Sequence, residues 1–457
     1  MKSSVHSGLV GSLPPTLKKP SSKKWLIISE PFNMDGRAAS LTISDKVDAL
    51  HARGIEVIVI SAATGEKDHR FQHYQVMSWA PSGLKFEIRH MLKKKYGKRF
   101  TGKLLKACFT ILLLPFYIVE KIFVRLDSEW SWVYPAYYSA KRIIQREKPD
   151  IVYTSGGPPA AHKAGYWLKK NLGIFWIAEI HDPMIHDDWS KSKQFYTSNE
   201  KLESAICDHA DLAWWFTQGA LDSARARNPN LGERGVKILP GVKKPHFGEA
   251  CYVKGTYFNI LHAGSVSKTR NLHNFIIILA KFFAINPALK DSIRIHIYGS
   301  DLDPISNASI EEQNLDSIFV RHGRLEKDKA TGKSGRQRVL EAMRGADLLL
   351  MLHGEIAACA EYIPSKFYEY LFTKRPILGM IHDNDDLRQM LDERSHFSID
   401  PTNHMQGVDI LTKLHAQWAS SNIGIPDFED PRAVSVDDAV DHIAQAIEQR
   451  MKHQTIA

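Results

Sequence analysis

Short apolar runs alternate with longer amphipathic stretches along most of the chain. The first run, Trp25 to Ile28 in KKWLIIS, is continuously apolar. A parallel strand covered by helices on both faces reads this way. After a loop holding Pro31 and Gly36, Leu41, Val47 and Leu50 recur at helical spacing, and the pattern stops at Gly54. IEVIVIS, from Ile55 to Ser61, predicts the next strand. Strand, helix and strand in succession make a βαβ unit. The alternation resumes at Pro149 with the strand PDIVYTS and the helix PPAAHKAGYWLKKNLG, which closes at Gly173. Strands in IFWIAEIHD, ADLAWWFT and VKILPG follow. A polar connection from Phe247 to Thr256 interrupts the pattern. It restarts through YFNILHAGS, IRIHIYGS, SIFVRHG, ADLLLMLHG and RPILGMIHD, and a helix from Val436 to Met451 closes the chain.

This pattern predicts an α/β protein with two Rossmann-like parallel-sheet halves, 24–250 and 251–430, facing each other across a cleft. Residues 1–23, rich in Ser, Pro, Gly and Lys, predict a mobile basic tail. A C-terminal helical segment is expected over 431–457. The strand ends deliver Ser, Gly, His or Asp into the loops that follow, and ligands of open parallel sheets sit at that edge.

Composition narrows the class. The chain has 457 residues, 44% of them hydrophobic, which is too much core material for one ordinary domain. Its net charge of +9 favours polyanionic neighbours without choosing among nucleic acid, acidic lipid and phosphorylated ligands. The four cysteines, Cys108, Cys207, Cys251 and Cys359, form no CxxC pair. Neither a disulfide framework nor a structural zinc site is indicated, and a reducing, cytoplasmic setting fits. No segment reads as a signal peptide or as a clean membrane span.

The most informative stretch is EYIPSKFYEYLFTKRPIL, Glu361 to Leu378. Pro364 suits the first turn of a helix. Phe367 and Leu371 can face the core, leaving Lys366 and Glu369 near the exposed end. A helix N-terminus attracts phosphate, Lys366 adds a cation, and a carboxylate such as Glu369 can accept from both hydroxyls of a ribose. Taken alone, two acids at this spacing are also compatible with an ordinary charged surface helix.

The stretch resembles the donor-binding signature of the retaining glycosyltransferases of family 4, which have the GT-B fold. In that signature two glutamates with seven residues between them flank a Pro-x-Lys-hydrophobic-x-Glu-Tyr-Leu run. The resemblance implies a metal-independent, retaining glycosyltransferase whose substrate is a nucleotide-sugar and which needs no further cofactor. It implies that Glu361 lies near the donor sugar and diphosphate and that Glu369 holds the ribose. ILHAGSVSKTRNLHNFI matches the family's Gly-rich turn through Gly264 and Ser265, with Lys268 and Arg270 as the cations for the diphosphate. Read alone, this is also a solvated basic turn.

The first half matches more loosely. IFWIAEIHD ends in His181 and Asp182, where many relatives carry Arg-Asp; the pair would stand near the acceptor. A satisfied histidine at a loop edge reads the same. Gly36 and Arg37 match the loop that sits against donor and acceptor, and Ser155 to His162 resembles the family's small-residue helix opening. TGKSG at 331–335 lacks the first glycine and the leading strand of a phosphate-binding loop. DLD at 301–303 stands in the wrong half for a metal-binding Asp-x-Asp.

Residues 93–125 combine Lys93, Lys94, Lys95, Lys98, Arg99, Lys103 and Lys106 with the apolar ACFTILLLPFYIV, interrupted by Pro115. Thirteen residues are too few to span a bilayer. The combination suits adsorption to an anionic membrane surface, or else a core helix beside a solvated basic loop. Expected partners are therefore a nucleotide-sugar, a glycan or lipid-linked acceptor and the inner face of a membrane. Nucleic acid is not expected, because no recognition module is present. Surface polysaccharide assembly is the expected setting. A sugar-nucleotide epimerase of the same fold and an inert nucleotide-sugar-binding scaffold are the alternatives.

Overall fold

The computed structural model describes residues 23–34, 37–97, 99–157, 159–185, 192–299, 301–428 and 434–456. The expected tail lies, apart from Lys23, outside them, as do Gly36 and Lys98. The first half is a 7-stranded sheet of β1 (Lys24–Ile28), β2 (Glu56–Ala62), β3 (Gln72–Val76), β4 (Ile151–Gly156), β5 (Phe175–Ile180), β6 (Leu212–Trp215) and β7 (Gly235–Lys237). Its helices are α1 (Ala38–Ala52), α2 (Pro81–Tyr96), α3 (Phe100–Phe123), α4 (Val133–Glu147), α5 (Pro159–Leu172), α6 (Lys193–His209) and α7 (Gln218–Arg227).

The second half is a 6-stranded sheet of β8 (Phe258–Gly264), β9 (Ile293–Gly299), β10 (Phe319–Gly323), β11 (Leu348–Leu352), β12 (Ile377–Met380) and β13 (Phe397–Ile399). Its helices are α8 (His273–Ile285), α9 (Pro304–Glu312), α10 (Gly335–Gly345), α11 (Ser365–Phe372), α12 (Asp385–Asp392) and α13 (His404–Ser420); α14 (Val436–Ile456) follows.

The strand orders are β3-β2-β1-β4-β5-β6-β7 and β10-β9-β8-β11-β12-β13, and the strand pairs in both are parallel. Winding reverses between β1 and β4, and again between β8 and β11. Ligand crevices open outside the carboxyl ends of strands at such points.

Alternate side chains of each strand feed opposite faces. Leu26 and Ile28 join Trp132, Ala136 and Leu168, whereas Trp25 and Ile27 join Ile43, Val47 and Leu50. Val440, Ile443 and Ile447 of α14, three to four residues apart, complete that second face. The last helix therefore returns to the first half. Arg53 fastens it there with a 3.0 Å contact to Asp441. The second sheet is covered likewise, with α8 and α13 on one face and α10 and α11 on the other.

Two expectations about the basic, apolar segment need correction. Pro115 does not end the helix, because a proline removes a single backbone donor while the turns on either side remain bonded. The result, α3, is 24 residues long and sufficient in length and composition to cross a membrane. Nor is it a core helix. Only Gly102 and Glu120 along it are buried.

Candidate functional site

A cavity of about 1090 Å³ opens between the halves at the β8–β11 switch point. Ala38, Leu41, Thr42 and Asp45 of α1 form its wall on the first half. On the second half it gathers Gly264, Ser265, Arg270, Lys366 and Glu369.

Helix α11 is rotated into place by its own apolar positions. Phe367, Tyr368, Tyr370 and Leu371 are buried in the core shared with α10. The Tyr370 hydroxyl accepts from the Ala263 N–H at 2.7 Å, tying the helix to the end of β8. At about 100° per residue, Lys366 and Glu369 then share the side facing the cavity. Pro364 occupies the position just before the helix rather than within its first turn. Glu369 is buried rather than exposed. Arg336 donates to one carboxylate oxygen at 2.7 Å and Lys366 to the other at 3.1 Å. Sequence reasoning missed Arg336. It directly follows the TGKSG segment that was rejected as a phosphate loop; Ser334 of that segment caps α10, and Lys327, Gly335 and Arg336 line the cavity.

Gly264 ends β8, and Gly299 ends the neighbouring β9 with φ of 131°. A Cβ on Gly299 would meet the Gly264 carbonyl oxygen at 2.2 Å, so only glycine allows this approach. Arg270 donates to the Ser265 carbonyl at 3.2 Å and is thereby curled over the turn. Lys268 is exposed and lies outside the cavity lining; only Arg270 of the expected pair reaches the cavity. His262, another missed residue, is buried at the cavity wall. Its Nδ1 meets the Leu350 carbonyl at 3.0 Å, so Nδ1 carries the proton. Burial pushes its pKa down to about 4. The neutral ring therefore turns an unprotonated Nε2, without a partner among the described residues, toward Gly264. Of the DLD acids, Asp301 lines the cavity and Asp303 caps α9.

His181 and Asp182 stand apart from this cavity, at the end of β5. Behind them lies a fully buried cluster that the sequence did not announce. Glu179 accepts from Lys46, from the Tyr153 hydroxyl at 2.5 Å and from the Ser155 hydroxyl at 2.6 Å. Burial opposes its ionisation, but the Lys46 charge and the hydrogen bonds of His181 and Lys46 outweigh it and hold the carboxyl below its usual range. Ser155 spends its proton on Glu179, so the 2.9 Å contact to His181 requires His181 Nε2 to donate. Nδ1 is then the basic nitrogen of the neutral ring. Asp182, the next residue along the chain, is exposed.

Glu361 also lies outside the cavity lining. Its Oε1 accepts from Ser223 of α7 at 2.5 Å, and its carbonyl accepts from Thr217 at 2.7 Å. Asp386 caps the same helix, accepting from the Gln218 N–H at 2.6 Å, and pairs with Lys237 at 2.8 Å. These contacts join the two halves beside the cleft. Of the expected residues the fold thus collects five in one cavity, sets His181, Asp182 and Glu361 elsewhere along the cleft, and leaves Lys268 on the surface.

Comparison with solved structures aligns almost the whole chain at low identity. The lipopolysaccharide outer core galactosyltransferase WaaB is 12% identical, with 93% of this chain and 99% of that one covered and a TM-score of 0.56. The Anabaena protein HepE, solved in complex with UDP-glucose, gives 11%, 95%, 100% and 0.51 in the same order. A proposed UDP-N-acetylglucosamine 2-epimerase from Listeria monocytogenes gives 10%, 95%, 98% and 0.50. The fold is that of the GT-B glycosyltransferases. No family model and no curated protein sequence matches the chain. At these identities the GT-B likeness establishes architecture, and the chemistry has to be argued from the site.

Proposed function

We propose that this GT-B protein is a glycosyltransferase that moves a sugar from a nucleotide-sugar to a glycan or lipid-linked acceptor with retention of configuration. One observation carries the reading: the interdomain cavity pairs an acid, Glu369, with cations at the start of α11 and on the Gly264 turn. A nucleoside diphosphate requires that combination, a carboxylate for ribose hydroxyls and fixed positive charge for phosphate. Arg270, Lys366 and Arg336, with Arg324 and Lys327 also in the lining, would stabilise the charge that develops as the diphosphate leaves. Protein cations take the part that a divalent ion plays elsewhere. His181 and Asp182 would face the acceptor, with Nδ1 of His181 as the proton acceptor. Surface polysaccharide assembly at the cytoplasmic face of a membrane is the setting that goes with this reading.

A thermal-shift screen of UDP-, GDP- and ADP-sugars tests it, since a ligand at 100 times its Kd stabilises by about 2.7 kcal/mol. At least one should raise the melting temperature, and Glu369→Ala should weaken that ligand about tenfold or more. A panel in which no nucleotide-sugar binds would refute the proposal. The epimerase reading is favoured only by the shared fold. Product analysis separates the readings: a new glycosidic bond supports transfer, an inverted sugar-nucleotide supports epimerisation, and binding without turnover marks an inert scaffold.

A further inference from the structure

Helix α3 is the most unusual surface of the molecule. Thr110, Leu113, Tyr117, Glu120 and Lys121, on one side, are buried or half-buried. That stripe lies against α2: Ser82 donates its backbone N–H to Glu120 at 2.8 Å, and the Lys85 ammonium sits 4.5 Å from the Tyr117 ring. The rest of the circumference is exposed and apolar, including Ile111, Leu112, Phe116, Ile118 and Phe123, which are 49–74% exposed. From Ala107 to Val119 the helix carries no charge. Cations bracket this stretch, with Lys93 to Lys95, Arg99, Lys103 and Lys106 before it and Lys121 and Arg125 after it.

A second feature adjoins the carboxyl end of α3. An open depression of about 700 Å³ is lined by Ile122 and Phe123 on one side and by Arg125, Lys193 and Lys201 on the other. Among the described residues no carboxylate lines it. Ser192, which caps α6, donates to the Arg125 carbonyl at 2.6 Å and so holds the α3 exit against the α6 start. The α6 N-terminus adds its dipole to the three cations. Apolar surface meeting paired-up positive charge is the complement of a lipid whose phosphate and acyl chain leave in different directions.

We propose that α3 lies in the plane of an anionic phospholipid bilayer and that the Arg125, Lys193 and Lys201 depression seats a phospholipid phosphate at its edge. Lying in the plane, rather than crossing, follows from α2. It accompanies α3 along the packed stripe and carries Lys85, Arg89 and Lys93 to Lys95, which belong at the head-group level and not in hydrocarbon. The proposal stands apart from the donor-site reading and does not need it. It would place the membrane eleven positions along the chain from Asp182, which precedes Lys193 in the segment after β5.

The test uses the full chain with vesicles of phosphatidylcholine alone or mixed with phosphatidylglycerol. Sedimentation is expected with the mixed vesicles and not with phosphatidylcholine alone. Replacing Arg125, Lys193 and Lys201 together by alanine should lower the partition coefficient about 100-fold, from about fivefold per cation near a charged surface. The side chains are at the surface, so the melting temperature should hold. A Cys251→Ser variant leaves Cys108, on the apolar arc of α3, as the exposed thiol among the described residues. An environment-sensitive fluorophore on Cys108 should shift to the blue on vesicle binding and be quenched best by lipids labelled near the head group. Equal binding by the triple variant, quenching from the bilayer centre, no spectral shift, or displacement by millimolar inorganic phosphate would each overturn the proposal.

Discussion

Glu30, the second residue after β1 at the switch point of the first sheet, allows a quantitative test of the fold's electrostatics. It is 4% exposed, and its Oε2 has no hydrogen-bond partner among the described residues. Burial raises its pKa from 4.5 to about 8, helped by Glu129 and Glu87 and opposed by Arg37. The folded chain therefore keeps a proton there that the unfolded chain releases near pH 4.5. Between those values the native state binds more protons, so stability falls as pH rises. The contribution is complete below the unfolded pKa and is lost as pH passes the folded one. Over about 3.5 pH units, at 1.36 kcal/mol each, the loss is about 5 kcal/mol. Glu30→Gln is neutral at every pH and removes this term. Urea unfolding followed by circular dichroism should show the variant and parent alike near pH 4.5, and the variant more stable by up to about 5 kcal/mol near pH 9. Glu87, raised to about 7 mainly by burial, contributes the same slope to both proteins and cancels in the comparison. A difference that stays flat across the range would mean that the carboxyl is ionised or solvated in the folded protein.

Glu179→Gln should cost about 3–5 kcal/mol, because it strands the Lys46 ammonium at a site with no exposure, whereas the double replacement with Lys46→Met should recover most of that loss. Urea denaturation of the double-mutant cycle decides it, and a single variant within about 1 kcal/mol of the parent would count against an ionised pair. Arg336→Ala should weaken nucleotide-sugar binding about tenfold while moving stability by less than about 1 kcal/mol, since the arginine is half exposed. Calorimetry that finds tighter binding instead would show that Arg336 merely occupies Glu369.

The alternation of apolar runs was enough to read two parallel sheets, because strands covered on both faces leave a signal as simple as IEVIVIS. Strand order was not legible in it, nor was the return of α14 to the first half, since Val440 and Ile443 specify an apolar face and not the surface it meets. The extent of α3 was misjudged at Pro115, where a local rule about helix breaking outweighed the apolar residues continuing beyond it. Lys46 and Glu179 were invisible for a different reason. They are 133 positions apart, and each sits inside an element whose other residues explain it.

The two glutamates of the motif show where local sequence stops determining a site. Lys366 and Glu369 are one turn apart on a helix whose rotation is fixed by Phe367, Tyr370 and Leu371, so eight consecutive residues suffice to aim them at the cavity. Glu361 precedes that helix. Its loop is held by Asn384, which donates to the Cys359 and Tyr362 carbonyls, and its side chain is held by Ser223 from the other half. Where Glu361 points is thus set by how the halves meet, which the local sequence does not fix. The energetic cost of recruiting each acid differs accordingly. Glu369 can receive a ligand by exchanging contacts with cations that are themselves partly exposed, 46% for Arg336 and 41% for Lys366. Glu361 can turn toward the cavity only by giving up Ser223 at 2.5 Å, a contact that joins the halves. In this arrangement of the halves, the acid poised for a ligand is Glu369.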